Sequence, residues 1–258
     1  MFKQLKEVFV YKEMLVSSVK KDLRSRYRGS FLGFLWTFVN PLMQLIIYSI
    51  VFPFLLKMQE ENYSMFVFVG LLPWIYFTSS LQISTTCIVG NGNLVKKIYF
   101  PRMILPIGVS TTGIMNYIFG LIIVFPALII TGVKITPYVL FLPVVMLVNY
   151  LFTTGFCLAL SSLYVFFRDL EHIVGIVTMA WFYLTPVVYN LKIFPEYAQR
   201  LLLLNPMTQF VNAYRNVLMY GKLPSFTGFS CLTLLSVAVF FFGALIFSRL
   251  QRTFAEEI

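Results

Sequence analysis

Residues that do chemistry are scarce in this chain. Among 258 residues there is one histidine, and there are ten carboxylates. No pair of carboxylates falls within an apolar run, and seven of the ten sit in charge-mixed polar segments. A hydrolase or transferase needs positioned nucleophiles, acids or metal ligands, so no catalytic residue is expected. The pattern G-x-x-x-x-G-K-[ST] is missing: Gly221-Lys222 is followed by Leu223 and lacks the loop. ATP binding by that route is excluded. The three cysteines, Cys87, Cys157 and Cys231, lie far apart in or beside apolar runs. They have neither disulfide nor zinc spacing and read as small buried hydrophobes, so no metal site is expected. The first 28 residues carry scattered charge and hold no apolar h-region. A signal peptide is therefore not expected.

Charge as a whole is thin. Only 12% of residues are charged, about half the share of a soluble domain. Apolar residues make up 59%, and there are 28 phenylalanines. That is a bilayer composition, long enough for about six helical spans of roughly 20 residues. The net charge of +10 does not point to nucleic acid, because no basic face carries interleaved aromatics outside the apolar runs. Lys and Arg accumulate instead in the cytoplasmic loops of membrane proteins.

The fold expected is all-α and polytopic: six transmembrane helices, an N-terminal interfacial amphipathic helix, and two short re-entrant or interfacial helices before the last span. Residues 1–258 read as one transmembrane domain. Within 3–24, Leu5, Val8, Phe9, Leu15, Val16, Val19 and Leu23 share about a third of a helical wheel, with Lys12 as an intruder. This helix lies in the interface plane, apolar face in lipid. Two readings stand for it, a membrane anchor and a partner surface.

Span one covers about 34–56, span two 65–84 with an interruption at Pro73-Trp74 and Tyr76, span three 103–131 and span four 138–167, with kinks expected at Pro126 and Pro143. Span five covers 173–189. Residues 190–228 are too broken to span and hold helical pieces near 197–204 and 207–220. Span six covers 229–248. With six spans both termini share a side. That side holds 14 of the Lys and Arg residues against 6 on the other, which places both termini in the cytoplasm.

Thr37, Asn40, Gln44 and Tyr48 form a narrow polar face on span one, with Trp36 at its margin. Polar groups at membrane depth usually face a bundle interior or a wet cavity. Thr178, Trp181, Phe182, Thr185 and Tyr189 share a face of span five. Aromatic rings stack on sugars, and amides and hydroxyls bind sugar hydroxyls. A conduit for a polar polymer needs many such weak contacts. Taken singly, each aromatic reads as packing.

Five stretches in order resemble the membrane subunit of type-2 ABC exporters: RYRGSFLGFLWTFVNPL (26–42), GLLPWIYF (70–77), KKIYFPRMILP (96–106), FFRDLEHIVGIVTMAWFYLTPVVY (166–189) and NPMTQFVNAYRNVLMYG (205–221). The resemblance covers nearly the whole chain and is closest to permeases that export lipid-linked polysaccharides such as O-antigen, capsule or teichoic acid. It implies a homodimer with two copies of a separate cytoplasmic ATPase, so that ATP and Mg belong to the partner and this chain holds no cofactor. It implies a conduit along Trp36, Asn40, Gln44, Tyr48, Trp181, Phe182 and Tyr189, and outer gate helices within 190–228. Contacts to the ATPase are implied through the N-terminal helix, the 90–102 loop and the turn Arg168, Asp169, Glu171, His172. The location implied is a bacterial or archaeal cytoplasmic membrane.

Arg24, Arg26, Arg28, Lys96, Lys97 and Arg102 are expected to offer a basic rim to a lipid phosphate; plain orientation signal is the equal alternative. Two other functions compete with the polysaccharide exporter. One is an exporter of a drug or simple lipid, disfavoured by the amides and hydroxyls of the stripes. The other is a membrane-embedded lipid-linked sugar transferase, for which Asp169 and Glu171 are the only close acidic pair near a span.

Overall fold

The computed structural model describes residues 2–25, 33–56 and 62–257. Every regular element among them is helical. The α-helices in chain order are α1 (Phe2–Val10), α2 (Lys12–Ser25), α3 (Trp36–Leu56), α4 (Tyr63–Gly90), α5 (Gly92–Lys97), α6 (Ile104–Ile130), α7 (Leu142–Tyr164), α8 (Leu170–Tyr183), α9 (Glu196–Leu203), α10 (Pro206–Leu218), α11 (Phe226–Leu250) and α12 (Phe254–Glu257), with short 3-10 turns between some of them.

α4 is the axle. It packs against α3, α6, α7, α8 and α10, and it is the most deeply buried of the long apolar helices. Its apolar residues face all round, as a helix enclosed by others must. Pro73 sits inside α4 without ending it, so the expected interruption of span two is not there. Trp74 and Tyr76 are buried core residues. The hydroxyl-rich end is part of the same helix: Ser84 and Thr85 both donate to Leu81 O.

Among the described residues, four helical segments are long and apolar enough to cross a membrane: Tyr63–Gly90, Ile104–Ile130, Pro137–Tyr164 and Phe226–Thr253. The fifth and first expected spans come out shorter by this measure. α3 contributes the apolar stretch Phe38–Ile47, and α8 has 14 residues, about 21 Å at 1.5 Å per residue. α8 stops at Tyr183 rather than running to 189. Pro186 offers no N–H and biases Thr185 away from helix, and Asn205 takes the Leu184 carbonyl that further helix would have used. Pro143 likewise starts α7, at its first turn, instead of kinking it, a position where the missing N–H is harmless.

The N-terminal amphipathic segment is two helices, not one. The ladder breaks at Tyr11, whose carbonyl accepts from both Met14 N and Leu15 N. Its apolar face is also not given wholly to lipid. Val8 and Val19 are buried. Val8, Tyr11, Met14 and Leu15 join a cluster with Ile88, Val95, Met103 and Ile104, and Ser18 and Leu15 lie over Gly108 of α6. Phe9 and Val10 remain exposed. α11 closes the bundle against α7, where Gly155 and Gly243 meet backbone to backbone. Outward positions on the long helices carry Ile122, Ile129, Leu234 and Phe242, a surface suited to acyl chains.

Candidate functional site

Trp36, Asn40 and Gln44 recur every four residues, so one face of α3 carries all three. That face closes a cavity of about 390 Å³ whose other walls are Tyr76 and Ser79 of α4 and Asn116 and Tyr117 of α6. α6 comes this close because residue 113 is glycine: a Cβ there would lie 2.4 Å from Ser80 Oγ and 3.0 Å from the Tyr76 ring. Behind the cavity runs a seam of buried hydroxyls. Tyr76 OH pairs with Ser110 Oγ at 3.1 Å, and Ser110 Oγ with Thr154 Oγ1 at 2.8 Å. Thr111 and Tyr150 pair at 2.8 Å, and Asn149 donates to Tyr214 OH at 3.3 Å. Satisfied networks of this kind fix a core in one arrangement. The side chain of Tyr48 lies outside the described residues.

The three candidates from span five are elsewhere. The Trp181 ring meets Phe77 edge-on at 5.2 Å and Phe156 at 6.2 Å. Its Nε1–H donates to Asn205 Oδ1 at 2.8 Å. Phe182 packs on Trp74 at 5.6 Å. Tyr189 donates to Tyr183 O at 2.8 Å and packs on Phe194, and burial pushes its phenol pKa up. Within the chain, then, Trp36, Asn40 and Gln44 come together, whereas Trp181 and Phe182 are half-buried and pack against its core.

Asn205 is a clasp between α8 and α10. Its Oδ1 accepts from Trp181 Nε1 and from Met207 N, capping α10; its Nδ2 donates to Leu184 O and Thr185 Oγ1, each at 3.0 Å. Asn before a Pro at the first helical position is an N-cap signature, and that signal was available. Asn205→Ala is expected to cost about 2–3 kcal/mol, combining a lost cap with an orphaned indole N–H. Denaturant unfolding in detergent measures the loss, and a red shift of the Trp181 emission locates it.

At the other end of α4, Arg24, Lys96 and Lys97 are exposed, the two lysines in the last turn of α5, where cations suit the helix dipole. Arg102 is half-buried. It donates to Gln251 O at 2.5 Å and lies 5.9 Å from the Phe254 ring, tying the C-terminal segment down. Partial burial lowers its pKa. Arg26 and Arg28 lie outside the described residues.

The turn between α7 and α8 presents Arg168, Asp169, Glu171 and His172 to solvent. It is held by a local frame: Arg168 stacks over Tyr164 at 5.3 Å, and Tyr164 OH donates to Glu171 Oε2 at 3.1 Å. Glu171 sits in the first turn of α8, the favourable end for an anion.

Arg215 is one of the six cations counted on the side away from the termini, in the helical piece expected near 207–220. It is 2% exposed. Nε donates to Phe66 O at 3.1 Å, Nη1 to Pro186 O at 2.7 Å and Nη2 to Val187 O at 2.6 Å. Its guanidinium carbon stands 3.4 Å from the Phe66 ring centroid. Gly70 makes room, since a Cβ there would lie 2.6 Å from Nη2. One guanidinium thus joins α4, α10 and the loop after α8, and Tyr63 OH adds a bond to Val188 O. The sequence does carry the clue: Arg215 lies four residues from Val211 and three from Leu218, on the apolar arc of its helix.

Comparison with known proteins adds an independent line. The sequence pattern of the family described as ABC-2 type transporter matches residues 14–219. The O-antigen export system permease protein RfbA of Myxococcus xanthus is 35% identical over 264 residues, covering all of both chains. Two Klebsiella pneumoniae proteins of the same name are 32% and 31% identical, each over 95% of this chain and 94% of their own. With full-length relatives above 30% identity, a family match over most of its length and the apolar helices that such a role needs, this chain belongs to the ABC-2 type transporter family.

Proposed function

We propose that this chain is the permease subunit of an ATP-driven exporter that moves a lipid-linked polysaccharide across the cytoplasmic membrane. The observation that carries the reading is the end-to-end similarity to O-antigen export permeases. The cavity walled by Trp36, Asn40, Gln44, Ser79 and Asn116 supports it, because rings, amides and hydroxyls side by side are what a sugar chain needs. Six membrane crossings, with α3 and α8 completing the four long segments, put both termini in the cytoplasm. The distribution of Lys and Arg supports that orientation.

Two copies of the chain form the conduit. Exposed Leu42, Met43, Ile46 and Ile50 on α3, and Ile176, Val177 and Met179 on α8, offer apolar faces for that pairing. Two copies of a separate ATPase supply the ATP and Mg chemistry and press on α1, α2, α5 and the Arg168–His172 turn. The basic groups Arg24, Arg26, Arg28, Lys96 and Lys97 receive the lipid phosphate, and α9 and α10 gate the outer mouth. Trp181 and Phe182 serve the conduit by holding α8 in place, a role their core packing supports.

The test is export by the permease reconstituted with its ATPase. The triple change Trp36→Ala, Asn40→Leu, Gln44→Leu is expected to lower export about tenfold or more, at roughly 0.5–1.5 kcal/mol per lost contact. Assembly with the ATPase is expected to persist. Undiminished export from the assembled triple variant overturns the conduit.

A further inference from the structure

α10 carries three side-chain amides that the export reading leaves unused, Gln209, Asn212 and Asn216. Spaced at i, i+3 and i+7, they share one face of the helix. Between that face and the first turns of α11 lies a pocket of about 220 Å³, walled by the three amides, Ser225 and Phe229. The described residues that line it include no charge, and it shares no lining residue with the α3 cavity. It sits at the start of α11, roughly 30 Å along the helix from the end that leads to Gln251 and Arg102.

The walls are fixed and their polar groups are available. Among the described residues no hydrogen bond takes the side chain of Asn212 or Asn216. Gln209 Nε2 donates to Leu203 O at 2.6 Å, which orients that amide and leaves Oε1 as an acceptor. Ser225 precedes α11 without capping it, so its hydroxyl is open as well. The Phe229 ring is held by Phe141 at 5.2 Å. The turn from α10 to α11 is tied by Lys222 N to Asn216 O and by Phe229 N to Ser225 O, each at 2.9 Å. Gly228 keeps the space clear. A Cβ there would lie 2.7 Å from Ser225 Oγ and 3.9 Å from Gln209 Oε1, with nothing else within 4 Å. A side chain at 228 would therefore enter the pocket. Glycine inside a helix gives up stability relative to alanine, and Gly228 is not among the glycines with positive φ that need it for the backbone.

Amides that both donate and accept, a hydroxyl and one aromatic wall suit a neutral ligand rich in hydroxyl groups. The volume falls below the roughly 300–1,000 Å³ of sites for drug-sized ligands, which leaves room for one ring. We infer that this pocket binds a single neutral sugar ring between α10 and α11. The ring belongs either to the exported chain or to the headgroup of a glycolipid; only the first source rests on the export reading. A ring held there gives α10 a sugar contact of its own, apart from the one on α3.

The experiment is saturation-transfer NMR on the full chain in lipid nanodiscs. It is run on the parent and on the Trp36→Ala, Asn40→Leu, Gln44→Leu variant, which removes the contacts of the α3 cavity. The probes are methyl and octyl glycosides of glucose, galactose, mannose, rhamnose and N-acetylglucosamine, with methyl glucuronide as the charged counterpart. At least one neutral glycoside is expected to receive saturation in both proteins, and the glucuronide none. Asn212→Leu with Asn216→Leu is expected to weaken that binding about tenfold or more, at one lost hydrogen bond per amide. Gly228→Leu fills the pocket from its wall and is expected to weaken binding at least as much. It adds helix propensity at an open position, so it reports on the site even where the double variant fails to fold. An octyl glycoside held more tightly than its methyl form, by an excess that Gly228→Leu removes, supports the pocket and assigns the glycolipid. Equal affinity supports it and assigns the chain. No saturation at any neutral glycoside, equal saturation of the glucuronide, or unchanged affinity in Gly228→Leu overturns the site. Binding is read without the ATPase, so its failure and a failure of export are separate results.

Discussion

Arg215→Ala is expected to destabilise the chain by about 3–5 kcal/mol and to abolish transport, the largest effect of any single side-chain truncation here. The loss has three parts. The carbonyls of Phe66, Pro186 and Val187 lose a charged donor each, and a buried acceptor left unpaired costs about 1–3 kcal/mol. The contact over the Phe66 ring contributes of the order of 2 kcal/mol in a desolvated place. Gly70 then faces a void where the guanidinium stood. Partial collapse recovers some of this, which is why the total stays near the cost of breaking a buried charge network. Unfolding by a denaturing detergent, followed by far-UV circular dichroism, measures it. Arg215→Lys keeps the charge but cannot aim three planar donors at three carbonyls, so it is expected to recover less than half. An Arg215→Ala midpoint within about 1 kcal/mol of the parent would mean that these carbonyls find other partners.

That prediction rests on a residue that charge counting placed only on one side of the membrane, and the reason is instructive. Charge counting assigns a cation to a side of the membrane, not to an interior. What the count does not carry is the pairing of Arg215 with backbone 149 and 28 residues away. Trp181 is similar: its face on α8 is readable from helical spacing, but whether that face looks to a conduit or to Phe77 depends on where α4 lies.

The long helices were legible because apolar runs punctuated by Pro, Gly and Asn admit few alternatives. α6 spans Ile104–Ile130 against an expected 103–131, and α10 spans Pro206–Leu218 against 207–220. The break at Tyr11 was not legible, since the apolar periodicity continues through it and only docking on α6 selects the bend. Half of the α3 cavity was legible. Trp36, Asn40 and Gln44 announce a polar face; Tyr76, Ser79, Asn116 and Tyr117 join it only once α3, α4 and α6 are neighbours.

Gly243→Val is expected to match Arg215→Ala in effect by the opposite route, adding atoms where none fit. A Cβ at residue 243 would stand 2.0 Å from Gly155 O and 2.8 Å from Gly155 C; a Cβ at 155 would stand 2.6 Å from Val239 C and O. The obstacles on both sides are main chain, which cannot rotate away as a flexible side chain can. Paired small residues allow such close approach between helices in a bilayer. A first carbon at 243 must move α11 off α7 by more than 1 Å, forfeiting dispersion contacts along the seam. Overpacking typically costs 1–3 kcal/mol and more where backbone must shift, so about 3 kcal/mol is expected for Gly243→Ala, with more for Val.

The displacement does not stay local. α11 carries Phe247 and leads to Gln251, whose carbonyl holds Arg102, and to Phe254, packed between Phe247 and Phe166. Moving α11 therefore loosens the end of the bundle that bears α5 and the Arg168–His172 turn. Coupling to an ATPase is expected to fail along with stability. Gly90→Ala is the matched control: nothing lies within 4 Å of a Cβ there, so the same substitution is expected to stabilise α4 by up to about 1 kcal/mol. Opposite signs at 90 and 243 in one unfolding series would show that contact geometry decides, and a Gly243→Val midpoint equal to the parent's would place α7 and α11 farther apart than described.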